Sequence, residues 1–578
     1  MKIKEFLIQD VSWSKLKESL SDSFTQNANQ FCGKHHVALR TFLTLLFTFI
    51  VFWQSWTTDD AYHSYIMARH LAEGKGLVYN VGYRVTASTC PLLTLIQAGV
   101  YKITQNMVAA GILIGVLTSG ATAAVLFFNF CTKIRFAIFA FFIMVLSYSF
   151  MSFTTSGLEN SLLFLLGTLF LDRYFQKDEF NAKDLFILAF LLALLAIARM
   201  DTILIFVPMI VVAYLFMTKI CLTKRIGVGI LGLSPFILWE VFAIFYYGFP
   251  FPNTFYAKLF ADYPVSEYLS KGLTYLHISF FFDCCLFIIP VSFLILAIYL
   301  RNKKGLLLFI GMFVYLIYIV RIGGDFMSGR HLTLNFILSL CSMCTLLSKY
   351  SDNSLSNEKT ESSSSHHKVP QSVFAVCCMG LIVILSPFLK PLAEMNMGPF
   401  DGESGVIDEK KYYCRYGAGT INMIKHSVTN EPDPMLQLTQ KVFGKIEECY
   451  KNGDKGFLVP SWDYMVYGYV AYNMANVTDM YLTDLPGLMD PLLTRMPGAK
   501  VNWWRIGHIE RIIPAGYIES VQTGQNLLVD ASLHEYYDKM LLIIAGDLFD
   551  KERLETIFAM NAGQYDHLLE AYKSSITK

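Results

Sequence analysis

Two adjacent carboxylates, Asp59 and Asp60, stand just past the first strongly apolar run of the chain, inside the stretch TTDDAYHSYIMARHLAEGKGLVYNVGYRV (Thr57–Val85). Acids held side by side repel, which raises one pKa or calls for a cation. Such a pair suits removal of a proton from an alcohol, or the holding of a cation beside a phosphate. In the same stretch Gly74, Gly76 and Gly82 supply turns around Tyr79 and Asn80, and Arg84 follows as a candidate phosphate ligand. Two later segments carry similar chemistry. PNTFYAK sets Asn253, Tyr256 and Lys258 beside proline-restricted positions, and GGDFMSGRH places Asp325, Arg330 and His331 after a Gly-Gly turn. A guanidinium at a lipid interface matches a phosphate by paired hydrogen bonds. The short runs TTSGLEN, with Glu159, and RMD, with Asp201, complete the set.

The elements that must position these residues are read from composition. The chain has 578 residues, 54% hydrophobic and only 16% charged, with a mean hydropathy of +0.43. That is the composition of a polytopic α-helical membrane protein. A net charge of +1 without a basic stripe gives no support for nucleic acid as a partner. The first apolar run, Thr41–Trp56, starts too late for a cleavable signal peptide and reads as an uncleaved anchor. Spans are expected near 38–56, 107–130, 135–152, 157–173, 184–200, 202–219, 226–247, 279–300, 305–320, 331–348 and 371–390, about eleven in all.

The Lys/Arg clusters between these runs share one side only if residues 88–103 lie along the membrane as an interfacial helix. The amino terminus is then cytoplasmic, and every segment with unusual polar chemistry falls on the outer face. Glu240 and Asp283 fall in the outer halves of their helices, which points to a cavity opening outward. The expected domains are a cytoplasmic segment 1–37, a transmembrane catalytic domain 38–348 with first outer loop 57–106, a disordered cytoplasmic linker 349–370, a last transmembrane helix 371–394 and an extracytoplasmic domain 395–578. The Ser-rich linker follows from low complexity. The last domain reads as α/β or α+β, with GFLVPSW and NLLVDAS as strands and KMLLIIAGDLF and ERLETIFAM as helices. Cys414 and Cys449 share it and are candidates for a disulfide. Trp462, Trp503 and Trp504 offer either stacking surfaces for a glycan or an ordinary core.

The run DDAYHSYIMARHLAEGKGLVYNVGYRV resembles the first outer loop of GT-C glycosyltransferases, nearest to the terminal arabinofuranosyltransferases of bacterial cell envelopes. The likeness continues through TSGLEN, ARMD, YYGFPFPNTFYAKL, GGDFMSGR and DLPGLMDPLLTR, with Gly507-His508 downstream. It implies a GT-C fold in the bacterial inner membrane with a periplasmic active site. It also implies transfer of a sugar, arabinofuranose first, from a polyprenyl-phosphate donor to a glycan or glycoprotein acceptor. In that reading Arg330 stabilises the leaving phosphate, helped by Lys258, His331 and Arg84. One of Asp59 and Asp60 acts as base, and Asp60 orients it or binds sugar hydroxyls. Asp59→Asn and Asp60→Asn are each expected to cut transfer strongly. His63, Tyr62, Glu159, Asn253, Tyr256, Asp325 and Asp201 are the sugar and acceptor contacts. No cofactor is required and no metal is assigned; a divalent cation is compatible with the acids but not indicated. The chain departs from the family at His63, Ile66, Met200 and Thr86–Cys90, which leaves the sugar open. A hexosyl- or mannosyltransferase, a polyprenyl-linked ligase and a flippase are the rival readings.

Overall fold

The computed structural model describes residues 35–259, 263–356, 377–386, 404–419, 434–459, 467–475, 478–499 and 504–576. It is mostly helical, at 71%. The first half runs through α1 (His35–Trp53), α2 (Asp59–Ala72), α3 (Pro91–Thr104), α4 (Met107–Val125), α5 (Ile134–Leu146), α6 (Tyr148–Ser152), α7 (Asn160–Gln176), α8 (Ala182–Ala198) and α9 (Ile203–Phe216). There follow α10 (Leu222–Tyr247), α11 (Asn253–Leu259), α12 (Val265–Phe282), α13 (Cys285–Tyr299), α14 (Lys303–Arg321), α15 (Thr333–Ser356) and α16 (Cys377–Ser386).

Among the described residues five helices are long and apolar enough to cross a membrane: α1, α4 with its continuation to Phe130, α10, α14 and Arg330–Ser348 at the start of α15. The chain therefore has the helices of a membrane protein. Arg330–Ser348 is wholly buried and forms the axis, whereas α10 lies on the periphery with most of its surface open. Two expected spans are broken. The 135–152 run ends α5 at Leu146 and restarts as α6, and the 279–300 run bends by 92° between α12 and α13. One carboxylate serves both breaks. Asp283 accepts the Ser147 hydroxyl and the Ser149 amide, each at 2.7 Å, and the Cys285 amide at 3.2 Å. A helix start leaves amides without partners, and an acid aimed at two such starts satisfies them. Asp283 thus sits at a helix break, not within a continuous span.

The later part of the chain does not keep a core to itself. The helix α17 (Glu409–Arg415) belongs to a strap that pairs Gly419 with Trp56 and Ile407 with Met327. β1 (Gly456–Val459) pairs in parallel with β2 (Tyr481–Asp484), the two-stranded sheet of the described residues. One apolar cluster joins Trp56, Ile66, Tyr79 and Tyr247 to Tyr413, Val459, Tyr467 and Leu482. NLLVDAS, expected as a strand, is instead the entry to the helix Ala531–Ala545. Its Asp530 accepts the Leu533 amide at 2.9 Å, the capping role in which Asp competes with strand formation. Cys414 and Cys449 are both free thiols. The amino-terminal segment up to residue 34, most of the Ser-rich linker, most of the 371–394 span, Trp462 and Trp503 lie outside the described residues.

Candidate functional site

The start of α2 is fixed by the chain on three sides. The Trp56 indole donates to the Ser152 carbonyl at 2.7 Å, and the Thr58 amide to the Ser156 carbonyl at 3.0 Å. The Thr58 hydroxyl, free of any capping duty, donates to Glu409 Oε2 at 2.5 Å. Gly157 makes the close approach feasible. It has φ +84°, and a Cβ there would lie 2.6 Å from both Ala61 Cβ and the Tyr65 hydroxyl.

Successive residues on a helix point about 100° apart, so the acid pair is split. Asp59 turns toward the helix Tyr467–Met474 and accepts the Gly468 and Tyr469 amides, both at 2.9 Å. Gly468 permits the contact, since a Cβ at that position would meet the Asp59 carbonyl at 2.3 Å. Asp60 turns the other way, into a cavity of about 130 Å³. The expectation that mutual repulsion dominates this pair is corrected accordingly. Burial raises Asp59 to about 8 against the pull of its two amides, and Asp60 is the weakest contributor. Burial also raises Asp60, to about 6, with Arg330 pulling it down and Asp325 pushing it up.

Seven of the expected residues meet around that cavity: Asp60, His63, Glu159, Lys258, Asp325, Arg330 and His331. They come from α2, the turn before α7, α11 and the loop before α15. One wall is closed by ion pairs. Glu159 bridges Arg199 at 2.5 Å and Arg330 at 3.0 Å, Arg199 also holds Asp201 at 2.9 Å, and Asp325 faces Arg330 at 3.5 Å and His331 at 3.4 Å. Arg330 retains one buried N–H, at Nε, without a partner among the described residues. Asp60 and Lys258 share this lining and feel the field of Arg330 and Asp325 without bonding to them. Neither Asp60 nor Lys258 makes a hydrogen bond or close ion pair with any described residue, and both line the same space. His63 is held neutral by burial, which lowers it to about 4. The cavity thus presents one unengaged carboxyl and one unengaged ammonium beside a rigid charged wall. That arrangement can take a proton from a hydroxyl and hold an anion at the same time.

Six expected residues stand outside it. Besides Asp59 and Asp201, Tyr62 packs edge-on against Tyr65 and Tyr469. Arg84 donates to the Gly546 carbonyl, and Tyr256 packs against Phe249 and lies under the Arg495 guanidinium. The Asn253 amide ties down the loop after β2 by donating to the carbonyls of Gly487, Leu488 and Asp490 at 3.3, 3.0 and 3.0 Å. That loop carries the DLPGLMDPLLTR motif and delivers Leu488 and Met489 to the cavity. Asp490 shapes it by accepting the Leu492 and Leu493 amides at 2.9 and 2.8 Å.

Arg199, Ser88, Thr89, Met489 and His508 also line the cavity; the sequence motifs contain all five, but none was singled out as a site residue. Arg199 carried a signal, an arginine at the very end of an apolar helix beside an acid. His508, whose ring meets Phe326 edge-on at 4.6 Å, carried its signal only through the Gly507-His508 pair of the family resemblance. Glu409 also had no signal, because its partner is 351 residues away. Among the described residues no group of three or more His, Cys, Asp or Glu is placed to hold a metal ion. No family model, curated protein or solved structure matches the chain.

Proposed function

We propose that the protein is a GT-C-type membrane glycosyltransferase that moves a sugar from a polyprenyl-phosphate donor to an extracytoplasmic glycan or glycoprotein. The observation that carries this reading is the pairing of unengaged Asp60 with unengaged Lys258 in one cavity. Asp60 removes the proton of the acceptor hydroxyl as its oxygen bonds to the anomeric carbon. The bond from that carbon to the phosphate oxygen breaks, and polyprenyl phosphate leaves with the electron pair. Lys258, which lines the cavity with Arg330, meets the charge that develops on the leaving phosphate, the electrostatic contribution on which such displacements depend. Asp59 and Arg84 have no part in the chemistry under this reading. His63 and the Ser88–Thr89 edge face the sugar. About eleven spans, a cytoplasmic amino terminus and a periplasmic cavity complete the proposal.

The test is incubation of the purified protein in vesicles with synthetic polyprenyl-phosphate arabinofuranose or polyprenyl-phosphate hexose and candidate acceptors, followed by mass spectrometry. Release of polyprenyl phosphate with a new glycosidic bond is expected, and the preferred donor identifies the sugar. Movement of the donor lipid across the bilayer without bond formation would falsify the enzyme reading in favour of a flippase.

A further inference from the structure

The carboxyl-terminal helices present aromatic rings for which neither the fold nor the proposed chemistry has a use. Phe549 is 82% exposed and Phe558 74%, with Leu554 one turn before Phe558 on the same face. Exposed rings of this size mark a surface that is covered in use.

Their position identifies the cover. The helix Lys551–Asn561 is pinned across the end of α10. Arg553 donates to the Phe245 and Tyr246 carbonyls at 3.0 and 2.9 Å, and Asn561 to the Gly248 carbonyl at 2.7 Å. Those carbonyls lack helical partners because the helix stops there, so the contact is a cap. The outward flank of α10 is a lipid-facing stripe in which Leu238 and Val241 are 67% and 61% exposed. Phe245 lies next along that stripe, and the Phe549 ring packs on it at 5.4 Å. Phe549 therefore prolongs the lipid-facing surface of a spanning helix by one ring, with no polar residue between. A few residues away the Lys551–Glu555 pair, at 3.4 Å, keeps polar groups beside the apolar face. The pair shares the exposed face with Leu554 and Phe558, so charged heads stand beside apolar side chains as they do at the head-group level of a leaflet.

We infer that Phe549 and Phe558 are seated in the lipid leaflet at which α10 ends, anchoring the carboxyl-terminal helices to the membrane. The occupant is lipid acyl chain just below the head groups. The inference does not depend on the sugar-transfer reading, nor on which side of the membrane this leaflet faces.

The test uses the full chain in phosphatidylethanolamine–phosphatidylglycerol vesicles, with Phe549→Trp and Phe558→Trp as separate variants. The readout is the emission each adds to the wild-type signal. Both sites are exposed, and retained thermal stability shows that the fold is kept. Phosphatidylcholine brominated near the head of its acyl chains is expected to remove most of the added emission, which should be blue-shifted and insensitive to aqueous iodide. Quenching of either variant by iodide in place of brominated lipid overturns the inference. Insensitivity to both quenchers also overturns it, since the rings would then be covered by protein rather than lipid.

Discussion

The two walls of the cavity hold similar charges in opposite states. On one, Glu159, Asp325, Arg199 and Arg330 are all engaged with one another. Asp60 and Lys258 line the same space within the field of those groups, yet make no hydrogen bond or close ion pair with a described residue. Buried charges that satisfy each other hold a shape, and breaking one pair leaves its partner uncompensated. Charges left unsatisfied at a cavity are costly unless a substrate completes them, which is why such groups concentrate at functional sites. The closed wall should therefore answer to stability measurements, and the open one to activity.

The sharpest break in that contrast is Asp60→Asn. Donor turnover should fall by about 10²–10⁴-fold, the usual worth of a positioned base, with the unfolding temperature unchanged. In the wild type, a base raised to about 6 works only when deprotonated, so turnover should be lost as pH drops through that value. Glu159→Gln attacks the other wall. Two guanidiniums lose their common anion, and a loss of about 3–5 kcal/mol is expected from thermal or denaturant unfolding in detergent. If instead stability holds while activity alone disappears, the division between the walls is wrong. Lys258→Met should slow turnover by roughly a hundredfold through lost charge stabilisation, again without altering unfolding, and Lys258→Arg should recover part of it. Asp59→Asn should have the smallest catalytic effect, within a few-fold. It weakens only the clasp on Gly468 and Tyr469, readable as faster proteolysis after residue 404.

The near-identical neighbours Asp59 and Asp60 also mark how far the sequence could be read. Apolar runs announced the helices, because length and composition are local properties. The loop motifs announced which segments gather, because glycines, prolines and charges cluster where chain must turn at a polar surface. Helix phase was not legible. Nothing in DDAY says which acid faces the cavity, since that is decided by a helix more than four hundred residues later. The bend at Asp283 escaped for a similar reason. An acid in an apolar run looks like a polar residue inside a span until Ser147 and Ser149 appear beside it. In the last third, β-rich residues in NLLVDAS were outweighed by the capping preference of Asp530.

The strap that clasps Trp56, Thr58 and Met327 has a consequence for how the protein is made. Trp56 waits for Gly419, Met327 for Ile407 and Thr58 for Glu409, 351 residues downstream. At ordinary rates of synthesis that interval is on the order of tens of seconds. During it the spanning helices are already emerging, while the helix that carries Asp60 lacks its final restraints. On the proposed reading, a truncated chain should insert yet remain idle, and activity should appear only when the tail docks. On that reading the order of translation itself would keep an incomplete chain from acquiring a finished site.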